Sequence, residues 1–180
     1  MFVRDRAAGI VRVLGIDPGL TRCGFAVVDG RVPAVAVAVA LGVIRTAAGD
    51  PLPVRLAALR RELAALMAEY DPDAVAVEQV FFQVNVRTAM SVGQASGLAL
   101  AEAAGRGCEV VQYSPNQVKD AVTGWGGADK AQVQKMVQAR LGLTRPPRPP
   151  DAADAAALAL CHLATVPMRR SIAAAQGAPR

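Results

Sequence analysis

Four carboxylates carry the strongest case for chemistry in this sequence: Asp17, Glu78, Asp151 and Asp154. Asp17 closes the run Val11-Arg12-Val13-Leu14-Gly15-Ile16-Asp17-Pro18-Gly19. Its apolar residues read as a buried strand, Pro18 ends the hydrogen-bond ladder, and Gly19 permits a sharp exit. Glu78 closes a second run of the same shape, Asp73-Ala74-Val75-Ala76-Val77-Glu78. If the two strands are parallel neighbours, their carboxyl ends coincide and the two acids face one another. Asp151 and Asp154 stand three residues apart at the start of the last helical segment, on one face and near the positive end of the helix dipole. Four carboxylates so gathered repel one another. A hard divalent cation such as Mg²⁺ relieves that repulsion, taking oxygen ligands and keeping waters that a phosphate substrate can displace.

The elements that must position these acids follow from periodicity. Strands are expected over Val11 to Ile16, Gly24 to Val28 and Ala34 to Ile44, with Asp29-Gly30 as the hairpin turn between the second and third. Leu52, Leu56, Leu59, Leu63, Leu66 and Tyr70 recur at helical spacing within Pro51 to Tyr70, and Asp71-Pro72 ends that helix. The Glu78 strand leads through a loop with Phe81, Phe82 and Asn85 into a helix from Arg87 to Arg106, rich in Ala, Gly and Ser. A short strand covers Glu109 to Tyr113. Ser114-Pro115-Asn116-Gln117 then has the residues of a capping box. A glycine-rich loop, Gly124 to Gly127, is read as facing a nucleic acid and anchored by Trp125; a helix from about Asp129 to Leu141 follows. The stiff segment Pro146 to Pro150 delivers the chain to the final helix, Asp151 to about Thr165. Residues 1–10 read as a disordered extension, 11–167 as one domain, and 168–180 as a flexible basic tail.

Composition narrows the class. The chain has 180 residues, is 53% hydrophobic, and carries 20 Lys and Arg against 15 Asp and Glu, for a net charge of +5. That length suits one domain with a sizeable core. Gathering four acids in one pocket leaves the remaining surface still more basic, which favours a polyanionic partner. Cys23, Cys108 and Cys161 are odd in number and widely spaced, against a disulfide framework or a zinc site. No segment reaches the roughly 20 apolar residues that span a bilayer. A cytoplasmic protein with no membrane partner is expected. His162, alone of its kind and on an apolar helix, reads as a satisfied core residue.

The order of elements, with acids at the ends of the first and fourth strands and on the last helix, resembles the ribonuclease H-like fold, an α/β architecture with a mixed five-stranded sheet flanked by helices. The motifs Gly15-Ile16-Asp17-Pro18-Gly19, Glu78-Gln79-Val80-Phe81, Gln117-Val118-Lys119, Gly126-x-Ala128-x-Lys130-x-Gln132-Val133 and Asp151-Ala152-Ala153-Asp154, in this order, resemble the RuvC family of bacterial Holliday-junction resolvases. That resemblance implies a homodimeric endonuclease, acting with the RuvA and RuvB branch-migration proteins, that makes paired nicks across a four-way DNA junction in recombination and repair. It assigns metal binding to Asp17, Glu78, Asp151 and Asp154, insertion among junction bases to Phe81, and DNA binding or charge neutralisation to Lys119 and Lys130. Arg87 is a candidate phosphate contact. The expected chemistry uses two Mg²⁺ ions roughly 3.5 to 4 Å apart, with Mn²⁺ as a possible substitute, and leaves 5′-phosphate and 3′-hydroxyl ends. The competing readings are an actin-like ATPase domain, which shares the Gly-Ile-Asp-x-Gly opening but needs a second lobe, and a DNA-binding module without catalysis, for which the four acids have no use.

Overall fold

The computed structural model describes residues 9–31, 35–80 and 86–175. Three strands come first: β1 (Ile10–Asp17), β2 (Arg22–Arg31) and β3 (Val35–Arg45). They are followed by α1 (Leu52–Tyr70), β4 (Ala74–Glu78), α2 (Val86–Gly105), β5 (Glu109–Tyr113), α3 (Pro115–Thr123), α4 (Lys130–Arg140) and α5 (Pro150–Ala175). The sheet runs β3-β2-β1-β4-β5. β1 pairs antiparallel with β2 and parallel with β4, and β4 pairs parallel with β5. This is the mixed five-stranded sheet expected from the order of elements.

Alternation along β1 divides the core in two. Leu14 and Ile16 pack with Leu59, Leu63 and Met67 of α1 and with Ala95, Ala99 and Ala103 of α2. Val11 and Val13 face the other way, into a core with α3, α4 and α5. Small residues make the α5 contact close. An ideal Cβ at Gly15 would collide with the carbonyl oxygen of Ala155, and one at Gly24 would collide with that of Asp151. Backbone therefore rests on backbone, and the amino end of α5 is fixed over the ends of β1 and β2.

The amino ends of the parallel strands are held by charge. Arg12 donates from Nε and an Nη to the two Asp29 carboxylate oxygens, each at 2.7 Å, and reaches the Tyr70 carbonyl at 3.1 Å. Its backbone N–H donates to Asp73 at 2.8 Å, which sets the start of β4.

Three expectations are corrected. Asp29 and Gly30 are not the hairpin turn: both lie inside β2, paired with Val37 and Ala36, because the right register buries Val27 and Val28 and carries the strand on to Arg31. Ile10 is part of β1, paired with Arg31, rather than of an extension. The last helix does not stop near Thr165 but continues through Pro167 to Ala175. Ser171 Oγ donates to the Pro167 carbonyl at 3.0 Å, and Arg169 forms an ion pair with Glu109. The Ser114–Gln117 capping box is present, and a second, Asp129–Gln132, opens α4.

Gly15→Ala should lower the unfolding free energy by about 3 kcal/mol or more, since the added methyl meets backbone on both α5 turns and cannot be accommodated by rotating a side chain. Gly30→Ala, whose methyl would meet only the end of the Leu163 side chain, should cost less. Urea denaturation of the two variants checks the order; equal losses would mean that α5 is not seated through Gly15.

Candidate active site

Asp17 and Glu78 end neighbouring parallel strands one residue past the paired positions Ile16 and Val77. Both therefore leave the sheet at its carboxyl edge. Asp17 has the same parity as Val13 and Gly15, and Glu78 the same as Ala76, so both carboxylates project to the α5 side. Asp151 and Asp154 occupy the first turns of that helix. All four acids line one open cleft of about 450 Å³, together with Lys119, Lys130, Pro115, Val118 and Val133. The convergence expected from sequence is thus present.

The acids are held in different electrical states. Burial, then the charges of Glu78, Asp154 and Asp151, push the Asp17 carboxyl up to about 7, with Lys130 opposing. Glu78 is also raised, first by burial and then by Asp154. Asp151 goes the other way: its ion pair with Arg22 holds it below the usual carboxylate range. Arg22 donates from Nε to Asp151 Oδ2 at 3.2 Å, and an Nη donates to the same oxygen. Lys130 donates from Nζ to Asp154 Oδ2 at 2.7 Å, and this bond raises the lysine pKa.

All the candidate ligands are carboxylate oxygens, a set suited to hard cations and unlike the nitrogen and sulfur donors of zinc sites. Among the described residues, no three such ligands close into a preformed coordination sphere. The acids share a cleft, but Asp151 and Asp154 are engaged by Arg22 and Lys130. A cation would compete with these two bases for them. The donor set fits a divalent ion by its chemistry, and positive charge near the raised Asp17 and Glu78 would favour their ionised forms.

Lys119 lines the cleft from α3, as expected. Lys130 does so from the first turn of α4, where the Asp129 cap orients the helix start. Phe81 lies outside the described residues, and so does the Arg87 side chain, although the Arg87 backbone belongs to the first turn of α2. Trp125 does not anchor its loop by burial: it is 61% exposed. His162 is the satisfied core residue expected, 1% exposed with Nδ1 3.0 Å from the Tyr113 hydroxyl. Sequence reasoning missed Arg22. Its available signal was the short span after Asp17, a tight connection that returns the chain beside the same strand end.

The family model described as Crossover junction endodeoxyribonuclease RuvC matches residues 13–162. A protein of that name from Salinispora arenicola is 54% identical over 165 residues, covering 92% of this chain and 94% of its own. Another from Thermobifida fusca is 56% identical over 153 residues, covering 85% of this chain and 84% of its own. Among solved structures, Thermus thermophilus RuvC in complex with a Holliday junction substrate matches with a TM-score of 0.84 at 37% identity, covering 88% of this chain and 96% of that one. The yeast mitochondrial Holliday junction resolvase Ydc2 shares the fold alone, with a TM-score of 0.66 at 15% identity, over 90% of this chain and 82% of that one. With the matched residues running from within β1, through both strand-end acids, to the acid pair on α5, the chain belongs to the RuvC family of crossover junction endodeoxyribonucleases.

Proposed function

We propose that this protein resolves four-way DNA junctions by hydrolysing a phosphodiester in each of two strands, leaving 5′-phosphate and 3′-hydroxyl ends. The observation that carries this reading is the convergence of Asp17, Glu78, Asp151 and Asp154 with two lysines in one open cleft. A groove for a DNA strand must be open, and one that only binds phosphate gains nothing from four acids. The Thermus relative was solved with a Holliday junction, which favours the same substrate here.

In this reading Asp17, Glu78, Asp151 and Asp154 hold Mg²⁺, two ions per site, with Mn²⁺ as a substitute. When bound, the ions activate the attacking water and stabilise the leaving 3′ oxygen. The protein's own groups do the rest. Asp17, held on a rigid strand end and lining the cleft with the other three acids, would be one of the ligands. Lys119, on α3, lines the same cleft and neutralises charge that grows on the scissile phosphate. Arg22 and Lys130 balance Asp151 and Asp154, and Lys130 is exposed enough to turn to the DNA backbone. Phe81 enters the junction bases and Arg87 contacts phosphate.

Paired nicks call for two sites, hence a homodimer. The outer face of α2, where Met90 is exposed and Gly93 and Gly97 have open space beside them, is the surface we assign to it. RuvA and RuvB would present the junction, in the cytoplasm. Among the described residues no helix is long and apolar enough to cross a membrane.

Asp17→Asn should bind a labelled four-way junction within a few-fold of the parent and lose at least about 10³-fold in single-turnover cleavage. Full Mg²⁺-dependent activity in that variant would remove Asp17 from the chemistry. Lys119→Ala should lower the cleavage rate by roughly 10- to 10³-fold and leave affinity nearly intact; a weakened Kd with an unchanged rate would make this lysine a backbone contact only.

Asp17 also links stability to pH. Without divalent cation, the folded protein keeps the Asp17 proton up to about pH 7, whereas the unfolded chain releases it near 3.8. The folded state binds more protons across that window, so stability falls as pH rises through it, and the full penalty is present above pH 7. Asp17→Asn removes the penalty. In EDTA the variant should be more stable than the parent at pH 8, by roughly 1 to 3 kcal/mol, with a smaller gap at pH 5. Mg²⁺ should then stabilise the parent more than the variant. Urea melts at the two pH values, with and without Mg²⁺, check both signs.

A further inference from the structure

Trp125 is the only tryptophan in the chain, and it stands on the α3–α4 loop with 61% of its surface exposed. An indole left in water forgoes a large burial gain, so its surroundings matter. Those surroundings hold it in place. Thr123 Oγ1 accepts from the Trp125 N–H at 3.2 Å and lies 3.0 Å from the Trp125 carbonyl, which in turn accepts from the Ala128 N–H at 3.1 Å. The ring lies against Gly127: an ideal Cβ there would come within 2.7 Å of Cζ2 and 2.8 Å of Cε2. One side of the indole is therefore supported by the chain, and much of the ring remains open to solvent.

The position of this loop ties the ring to the cleft. A Cβ at Gly126 would lie 3.7 Å from the Asn116 carbonyl, so the loop has folded back along α3 to its amino end. The next residue toward the cleft is Pro115, which lines it, and four residues beyond Gly126 comes Lys130, paired with Asp154. The loop that carries the exposed indole thus joins two elements, α3 and α4, that both line the acidic cleft.

We propose that Trp125 is a stacking platform for a nucleobase of the DNA strand that enters the cleft, holding the scissile phosphate in line with the acids. This rests on the nuclease reading and adds a specific contact to it. An aromatic face accepts any base, so the contact steers a strand without reading its sequence. It suits a junction, whose strands carry accessible bases at the branch point, better than an intact duplex with its bases stacked.

Because Trp125 is the sole tryptophan, intrinsic fluorescence reports on this ring alone. The Asp17→Asn protein, with Mg²⁺ so that junctions survive, is titrated with an unlabelled four-way junction and with a matched linear duplex, while binding is followed separately by gel shift. The junction should quench and shift the indole emission over the range in which it binds, and the duplex should do so less at equal occupancy. In the otherwise native protein, Trp125→Ala should weaken junction binding roughly tenfold and Trp125→Phe should restore most of it. Emission unchanged at saturation, or wild-type affinity in a folded Trp125→Ala protein, would overturn the proposal. An otherwise native protein that binds junctions but never cleaves them would instead sink the nuclease reading.

Discussion

The close seating of α5 on the sheet is the contact on which the active cleft depends. Gly15 and Gly24 leave no room for side chains beneath the helix, and the carbonyls of Ala155 and Asp151 come down to the strands themselves. A helix packed through side chains stands farther from its sheet and has freedom to slide. Here the distance and register are set by backbone, which fixes where the first turn of α5 ends up. Asp151 and Asp154 inherit that placement and meet Asp17 and Glu78, whose own positions are set by the parallel pairing of β1 with β4.

The two ends of the parallel strands illustrate what this placement is for. At the amino end each acid has a close partner: Asp29 holds Arg12, Asp73 accepts from the Arg12 backbone, and Glu109 holds Arg169. Charge there serves structure. At the carboxyl end Asp17 and Glu78 are raised chiefly by burial, with neighbouring acids adding to the effect. Burial disfavours the ionised form and the neighbours reinforce it, so these two carboxyls keep protons that the usual carboxylate range would not allow. Asp151, with Arg22 on it, is the contrary case, since a direct ion pair outweighs the cost of partial burial. Such unequal states within one cleft mark the end of the sheet where an added cation has most to gain.

Much of this arrangement is legible in the amino-acid sequence, for identifiable reasons. Strand-end acids announce themselves because the apolar run and the bounding Pro18 and Gly19 say where β1 stops. The i, i+3 spacing says that Asp151 and Asp154 share a face. The Ser114–Gln117 box is a local code, and the chain folds as that code directs. Local patterns fall short where tertiary pairing decides the outcome. Asp29-Gly30 has turn chemistry, yet pairing with β3 overrides it. Pro167 would be expected to end a helix, yet Ser171 and Arg169 hold α5 together beyond it. Arg22 is 129 residues from Asp151, and no local pattern joins them.

The same distinction explains why the cleft faces DNA rather than a small anion. A phosphate-binding loop encloses its ligand with backbone N–H groups, and such a site recognises an isolated terminal phosphate. The cleft here is lined by side chains of α3 and α4, among them Lys119, Lys130 and the apolar Val118 and Val133, and it is open to solvent. Lys119 and Lys130 share the cleft with the four acids, and Lys130 is paired with Asp154. An open cleft lets a diester enter with its chain leaving at both ends, within reach of lysines and acids alike. That geometry accepts a phosphate within a polymer, and the requirement for a branched polymer then falls on whatever flanks the cleft.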